Sequence, residues 1–184
     1  MAQRTWRNLH GGGSARKEAV REMRRAVAVS DTHIPKVGNV LPAALLEALR
    51  GADLVLHAGD LVDLSVLDGL RELAPVVAVA GNMDYPEVKA VLPEQRVVEV
   101  EGKLIGLTHG WGPPLGIERR VLSRLPGVDV VVFGHTHAAL VEEREGTLLV
   151  NPGTPTDRRF SERLSYAVIT VDGGRMDAWI VWLH

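Results

Sequence analysis

The sequence contains no cysteine, which excludes disulfide bonds, thiolate zinc sites and cysteine nucleophiles. Any bound metal ion would therefore need histidine, carboxylate or amide ligands. The sequence also lacks a G-x-S-x-G segment, which is typical of one class of serine nucleophile. It has no uninterrupted apolar run of about 18 residues, the length that predicts a membrane-spanning helix. We therefore expect a soluble, cytoplasmic protein without a membrane partner.

The composition is typical of a globular domain. The chain has 184 residues, of which 46% are hydrophobic and 24% are charged, so we expect one domain with a buried core. Residues 1–25 are rich in arginine and lysine. Because no run of about seven apolar residues follows them, we interpret them as a basic, disordered extension and not as a secretory signal. Residues 26–184 are the predicted domain, and their acidic balance makes a nucleic-acid polymer an unexpected partner.

Strands and helices alternate in the first half of the predicted domain. Apolar, β-branched runs predict strands at residues 26–30, 53–57 and 76–80, and helical spacing predicts helices at 42–50 and 64–73. Continuous apolar strands that are each followed by a helix are typical of a parallel sheet covered on both faces.

The second half is richer in strands. A turn at Glu101-Gly102 predicts a hairpin, and a helix at residues 117–125 precedes an apolar strand at 128–133. The remaining predicted strands are residues 139–144, 147–151, 164–171 and 175–183. Together the two halves predict an α/β fold with two packed β-sheets and helices outside.

Residues of metal-binding type follow five of the predicted strands. In a parallel sheet the loops after the strands converge at the carboxyl edge, where ligands bind. Side chains two residues apart in an extended chain point to the same side, so the D-x-H and H-x-H spacings each direct two side chains at one volume. The candidates are Asp31, His33, Asp60, Asn82, His109, His135 and His137.

Each candidate alone has an ordinary explanation. A single histidine at a strand end is usually solvated or hydrogen-bonded, and Asn or Asp after Gly is common in turns. Their recurrence at successive strand ends instead favours a metal site. Imidazole, carboxylate and amide ligands suit Mn, Fe, Co, Ni or Zn. Seven ligands are too many for one ion, but they match two ions that share a bridging ligand.

The motifs DTH, GDLVD, GNMD, THG and GHTH occur in this order between Asp31 and His137, and the segment NPGT follows at residues 151–154. Together they resemble the calcineurin-like metallophosphoesterase superfamily, in particular its small bacterial and archaeal single-domain phosphodiesterase branch. The resemblance covers about residues 26–184. It implies an α-β-β-α sandwich of two packed, mixed β-sheets flanked by helices, in agreement with the predicted elements.

The resemblance also implies a binuclear metal centre. Its two ligand sets, joined by a bridging Asp60, are Asp31, His33 and His137 for one ion and Asn82, His109 and His135 for the other. Mn²⁺ is the expected metal, with Ni²⁺, Fe, Co²⁺ and Zn²⁺ as alternatives. Acting through the metals, Asp60, Asn82 and His109 would be catalytic. The implied reaction is in-line attack of a metal-bound hydroxide on a small phosphate ester, and we expect a phosphodiester before a phosphomonoester.

One segment departs from the family pattern. Many members have a histidine directly after the motif asparagine to protonate the leaving oxygen, whereas this chain has Met83, which cannot donate a proton. Asp84 is an alternative general acid only if its pKa is raised, and a turn residue is the simpler interpretation. Without a general acid, aryl leaving groups should be favoured over alkyl alcohols. Nearby Trp111 either lines the substrate pocket or packs within its own loop.

Two other functions are alternatives to the enzyme. A retromer subunit resembles the same branch and is used as a protein-binding scaffold, but a scaffold need not keep all seven ligand positions. A nuclease of the superfamily would need a basic groove, which an acidic domain does not favour. The apolar C-terminal segment AWIVWL covers either the core of its own chain or a second copy in a homo-oligomer.

Overall fold

The computed structural model describes residues 7–8 and 24–184, and these residues form two β-sheets. The strands of the first sheet are β2 (Arg24–Val29), β3 (Leu54–His57), β4 (Val76–Ala78), β10 (Leu164–Asp172) and β11 (Arg175–Leu183). Their order across the sheet is β11-β10-β2-β3-β4. β2, β3 and β4 are parallel, and β10 and β11 continue the sheet as antiparallel strands.

The second sheet is also mixed. Its strands are β1 (Arg7–Asn8), β5 (Gln95–Val100), β6 (Lys103–Thr108), β7 (Val130–Val132), β8 (Leu140–Arg144) and β9 (Thr147–Asn151). Their order is β1-β5-β6-β7-β9-β8. β6, β7 and β9 are parallel. β5 pairs antiparallel with β6 through the predicted hairpin at Glu101-Gly102, and β8 pairs antiparallel with β9.

The two sheets pack face to face over an apolar core. Side chains alternate between the two faces of a strand, so apolar strands contribute to two layers at once. In β3, Leu54 and Leu56 face the other sheet, whereas Val55 faces the helices. In β7, Val130 and Val132 face the other sheet and Val131 faces outward. The continuous apolar runs in the sequence reflect this burial on both faces.

Helices cover the outer face of each sheet. The described helices are α1 (Ala43–Arg50), α2 (Leu64–Arg71), α3 (Pro86–Val91) and α4 (Ile117–Arg124). α1, α2 and α3 bury apolar side chains such as Leu45, Leu67 and Val88 in one cluster with the outer face of the first sheet. α4 buries Ile117 and Val121 against the second sheet. The predicted α-β-β-α sandwich is therefore confirmed.

The C-terminal segment covers the core of its own chain. Ala178 and Ile180 in β11 pack against the core between the sheets, and Val181 packs on the helical side. Trp179 and Trp182 on the same strand are exposed. A homo-oligomer through this strand stays a prediction. Within residues 7–8 and 24–184, no helix has the length and apolar character needed to cross a membrane.

Three details differ from the predicted elements. β2 begins at Arg24, where the Arg25 N–H donates to Asp53 Oδ2 over 3.0 Å, and Arg7–Asn8 pairs with β5. The rest of the predicted N-terminal extension lies outside the described residues. The short helix α3 was not predicted, because six residues span less than two turns and show no clear apolar period.

Candidate metal centre

The loops after β2, β3, β4, β6 and β7 meet at one edge of the two sheets. Backbone hydrogen bonds join neighbouring loops: the Asp31 N–H donates to the Gly59 carbonyl oxygen over 3.0 Å, and the Gly134 N–H donates to the His109 carbonyl oxygen over 3.1 Å. The His33 N–H donates to the Asp60 carbonyl oxygen over 3.0 Å. Candidate residues from both sheets are brought together in this way.

Asp31, His33 and His137 form a buried cluster. His137 Nε2 lies 3.3 Å from Asp31 Oδ1 and 3.2 Å from His33 Nε2. His33 Nε2 lies 3.9 Å from Asp31 Oδ1. Two imidazole nitrogens and one carboxylate oxygen therefore face a common volume. Asp31 and His33 of the D-x-H segment both contribute to it, whereas His135 of the H-x-H segment faces Asn82 instead. Neither segment is extended as the spacing argument assumed, since the two residues of each pair have positive φ angles.

The Asp60 carboxylate lies between this cluster and His109. Its Oδ2 atom is 3.3 Å from His109 Nε2 and 3.8 Å from His33 Nε2. Its Oδ1 atom accepts a hydrogen bond from the Met83 N–H over 2.7 Å. One oxygen is thus fixed by the backbone, and the other faces histidines of both predicted ligand sets.

Asn82 joins the remaining two histidines. Its Oδ1 atom lies 3.0 Å from His109 Nε2 and 3.0 Å from His135 Nδ1. Asn82 is exposed and His135 is half-buried, so this side of the cluster opens toward solvent. All the sequence-predicted candidates are therefore adjacent.

Protein groups hold the histidine nitrogens that face away from the cluster. His109 Nδ1 donates to the Ala58 carbonyl oxygen over 2.8 Å, and His135 Nε2 donates to the Gly112 carbonyl oxygen over 2.8 Å. Because a carbonyl oxygen can only accept, His109 Nδ1 and His135 Nε2 each carry a proton, and His109 Nε2 and His135 Nδ1 are the ring nitrogens that face Asn82. Such support from outer groups is typical of metal-binding histidines.

The donor set fits divalent cations. Within the described part of the chain, the buried His137 Nδ1 has no hydrogen-bond partner, although it lies 3.6 Å from Asp157 Oδ2. His137 Nε2 faces Asp31 Oδ1 and His33 Nε2. These three potential ligand atoms converge, but they do not fully satisfy one another's hydrogen-bonding capacity. Imidazole nitrogen and carboxylate or amide oxygen are the ligands that Mn²⁺, Zn²⁺ and similar ions accept.

The histidines differ in electrostatic environment. Burial acts to lower the pKa of His109, but the hydrogen bond to Asp60 and the charges of Asp31 and Asp60 raise this pKa to about 9. Burial lowers the pKa of His33 in spite of the same carboxylates. Burial also lowers the pKa of His57 to about 4; His57 Nδ1 accepts the Gly59 N–H over 3.2 Å, which keeps that ring neutral beside the cluster.

Asp84 holds the loops behind the cluster. Its Oδ1 accepts the Val62 N–H over 2.5 Å and its Oδ2 accepts the Gly81 N–H over 2.6 Å. Burial raises the pKa of Asp84, although the two hydrogen bonds act in the opposite direction. Since both oxygens accept from the backbone, the geometry supports the turn-residue interpretation over that of a general acid.

The backbone at the cluster is unusual. Five of the candidates have left-handed backbone angles, with φ values of 53° at Asp31, 48° at His33, 56° at Asp60, 73° at His135 and 57° at His137. Residues other than glycine rarely adopt such angles, and when they do they cluster at functional sites.

Sequence reasoning missed two supporting residues. Asp157 is buried beside His137 and is held by Arg159, whose Nε donates to Asp157 Oδ1 over 2.9 Å. Asn151 Nδ2 donates to the Gly134 carbonyl oxygen over 3.1 Å and so positions the strand end that carries His135. The NPGT segment was a signal for Asn151, whereas no local pattern indicated Asp157.

Known proteins are similar to this chain in sequence and in fold. A model of the calcineurin-like phosphoesterase superfamily domain matches residues 23–174. A probable metallophosphoesterase of Methanothermobacter thermautotrophicus is 41% identical over 155 residues, which cover 83% of this chain and 89% of the relative.

Solved structures agree with this result. A Thermotoga maritima protein determined by solution NMR is 36% identical, with a TM-score of 0.69 over 87% of this chain and 99% of that one. Wild-type Vps29 of Entamoeba histolytica, solved in complex with zinc, is 27% identical, with a TM-score of 0.63 over 86% of this chain and 98% of that one.

The fold is that of the calcineurin-like phosphoesterases, and the buried cluster offers candidate ligands for a metal ion. The chain belongs to the calcineurin-like phosphoesterase superfamily.

Proposed function

We propose that the chain is a binuclear metal-dependent phosphodiesterase. The observation that supports two ions is the position of Asp60 Oδ2, 3.3 Å from His109 Nε2 and 3.8 Å from His33 Nε2. One ligand set would be Asp31, His33 and His137, and the other Asn82, His109 and His135. Asp60 would belong to both sets, since its Oδ2 faces His33 and His109 while its Oδ1 accepts the Met83 N–H.

Two bound divalent ions would supply an activated water as nucleophile and would offset the charge of the phosphoryl group. The protein's own residues prepare the site for this chemistry. Asp31 and Asp60 provide negative charge at a buried position, which compensates the mutual repulsion of two cations. The Ala58 and Gly112 carbonyls orient His109 and His135. Mn²⁺ is the metal we propose first.

The surroundings of Asn82 support ester substrates with good leaving groups. Met83 has no proton to donate, and the Asp84 carboxylate is occupied by backbone N–H groups. A leaving oxygen would therefore depart without protonation by either residue. We propose aryl esters as the best substrates because they expel a weakly basic oxygen without protonation, and diesters before monoesters because the sequence resembles the phosphodiesterase branch.

The test is hydrolysis of bis-p-nitrophenyl phosphate by metal-stripped protein, with and without added Mn²⁺. We expect turnover only with the metal. Asp60→Asn should reduce turnover by at least about 100-fold, because substituting even the outer partners of metal ligands often lowers metal affinity or activity 10–100-fold. Bound metal is measured on the same samples by elemental analysis.

Asp63→Asn is the matched control. The substitution is the same as at Asp60, but it lies three residues further along the chain. The Asp63 side chain caps α2 by accepting the Ser65 N–H, and asparagine caps a helix equally well. Its activity should equal that of the wild type. If neither Mn²⁺ nor Ni²⁺, Co²⁺ and Zn²⁺ support turnover, the proposal is wrong and a non-catalytic scaffold becomes the better explanation.

A further inference from the structure

A cleft of about 510 Å³ opens beside Asn82 and His109. Its walls include side chains of α3, of the segment that follows α3, of the loop after β6, and of α4. Small-molecule sites typically have volumes of about 300–1,000 Å³. A ligand that reaches the Asn82 side of the metal centre would therefore have room to extend into this cleft.

An indole ring forms part of the cleft wall. Trp111 lies on the loop after β6, is 43% exposed and lines the cleft. The Arg124 guanidinium lies 5.7 Å from the centre of its ring, and Leu92 adds apolar surface to the same cleft. An exposed indole in a cleft beside a reactive centre offers a stacking surface for a planar aromatic group.

The cleft also favours an anion. Lys89 and Arg124 line it together with the carboxylate of Glu94. Glu94 accepts from Arg124 Nη2 over 2.8 Å, and Lys89 Nζ donates to the Asn82 carbonyl oxygen over 2.8 Å. In this contact the Lys89 ammonium is paired with a neutral carbonyl group and not with a carboxylate. Its positive charge is therefore available to a phosphate group that binds beside Asn82.

The two residues after Asn82 narrow the substrate further, because neither Met83 nor the backbone-bound Asp84 is placed to protonate a leaving group. An alcohol leaves slowly unless it is protonated, whereas a phosphate group, with a second pKa of about 6, leaves as an anion at neutral pH. A phosphoanhydride bond has such a leaving group. The cleft thus offers a stacking surface and a positive charge, and Met83 and Asp84 do not protonate a leaving oxygen. A nucleoside monophosphate, which is aromatic and departs as an anion, matches these properties as the leaving half of the substrate.

We propose that the cleft binds the nucleoside monophosphate half of a nucleoside phosphoanhydride, with the base on Trp111 and its phosphate near Lys89. This inference rests on the proposed function. The substrate has two phosphorus atoms joined by a bridging oxygen, and one of them belongs to the half that binds in the cleft. In the reaction, a water oxygen forms a bond to the other phosphorus, and the bond from that phosphorus to the bridging oxygen breaks. The bridging oxygen keeps the electron pair and departs on the nucleoside monophosphate, and the water proton passes to solvent.

The test compares diadenosine diphosphate with adenylyl-adenosine, which has an ordinary phosphodiester bond and an alcohol leaving group. With Mn²⁺ bound, we expect at least about 100-fold faster turnover of the anhydride. Trp111→Leu should raise KM for diadenosine diphosphate about tenfold, because base stacking on aromatic side chains is lost, and should leave kcat nearly unchanged. Trp179→Leu is the matched control, since Trp179 is 45% exposed and lies on β11.

Equilibrium dialysis of adenosine monophosphate and of ribose 5-phosphate gives a readout that does not depend on turnover. Trp111→Leu should weaken binding of the first about tenfold and leave the second unchanged. Hydrolysis of bis-p-nitrophenyl phosphate without any preference for the anhydride would leave the phosphodiesterase proposal intact and overturn this one. Equal binding of adenosine monophosphate by wild type and Trp111→Leu would also overturn it.

Discussion

Gly81 has no Cβ, and the Asp60 side chain occupies the space that a Cβ would take. A Cβ at Gly81 would overlap Asp60 Oδ1 and the Asp60 backbone nitrogen. The Asp60 carboxylate therefore reaches its position between His33 and His109 only because residue 81 is glycine. At the residue scale, the predicted bridge depends on a neighbour that is not itself a ligand.

Gly81→Ala should accordingly displace Asp60 and lower the affinity for metal at least about tenfold. Metal stoichiometry and affinity, measured by titration of the stripped protein, check this. Gly69→Ala is the control: Gly69 lies in α2, and a methyl group there would meet no atom within 4 Å, so alanine should add about 0.5–1 kcal/mol to the free energy of unfolding. Unaltered metal binding by Gly81→Ala would contradict this role of Gly81.

At the scale of elements, one arginine of α4 organises the loop after β6. Arg120 Nε donates to the Trp111 carbonyl oxygen over 2.9 Å, Nη1 donates to the Leu115 carbonyl oxygen over 3.1 Å, and Nη2 donates to that of Pro113. The same loop presents the Gly112 carbonyl to His135 Nε2. The helix thereby fixes the orientation of a candidate metal ligand through the loop.

Arg120→Gln should loosen residues 110–116 and weaken metal binding about tenfold, as loss of outer support commonly does. Hydrogen exchange of the loop and metal titration measure the two effects. Arg120→Lys should not restore either one, because an ammonium group cannot reach three carbonyls as the planar guanidinium does. Arg119→Gln, an exposed change on the same helix, should behave as wild type; a similar loss there would point to damage of α4 instead.

Elements with a clear apolar period were predictable, and conformations that depend on distant side chains were not. β3 and β7 follow from uninterrupted apolar runs, and the order of the motifs placed Asp31, Asp60 and His109 at strand ends. The loop 110–116 depends on Arg120, and the contact between Asp157 and His137 joins residues with no common local pattern. Such long-range contacts leave no periodic signal in one sequence.

At the scale of the whole molecule, the cluster joins the two sheets. Asp31, His33, Asp60 and Asn82 follow strands of the first sheet, and His109, His135 and His137 follow strands of the second. An ion held by both groups would connect the sheets at an edge where solvent-facing loops otherwise meet. Binding of metal should therefore stabilise the fold as a unit.

Metal removal should lower the Tm, and restoring Mn²⁺ should raise it. At a free metal concentration 100 times Kd the gain is about 2.7 kcal/mol, which for a chain of this size corresponds to roughly 5–10 °C. Differential scanning calorimetry with and without Mn²⁺ measures the shift. Asp60→Asn should reduce it strongly, and an equal shift in that variant would mean that the stabilising ion binds elsewhere.

The left-handed backbone at Asp31, His33, Asp60, His135 and His137 also limits how this centre can be moved or imitated. Each such backbone conformation lowers the stability of the fold by roughly 1–3 kcal/mol. The packing of the surrounding sandwich must offset this loss. Copying the side chains onto another scaffold would reproduce their identities but not their directions. A designer who transplants this centre would need to graft the loop backbones with it, onto a host stable enough to tolerate several unfavourable φ angles.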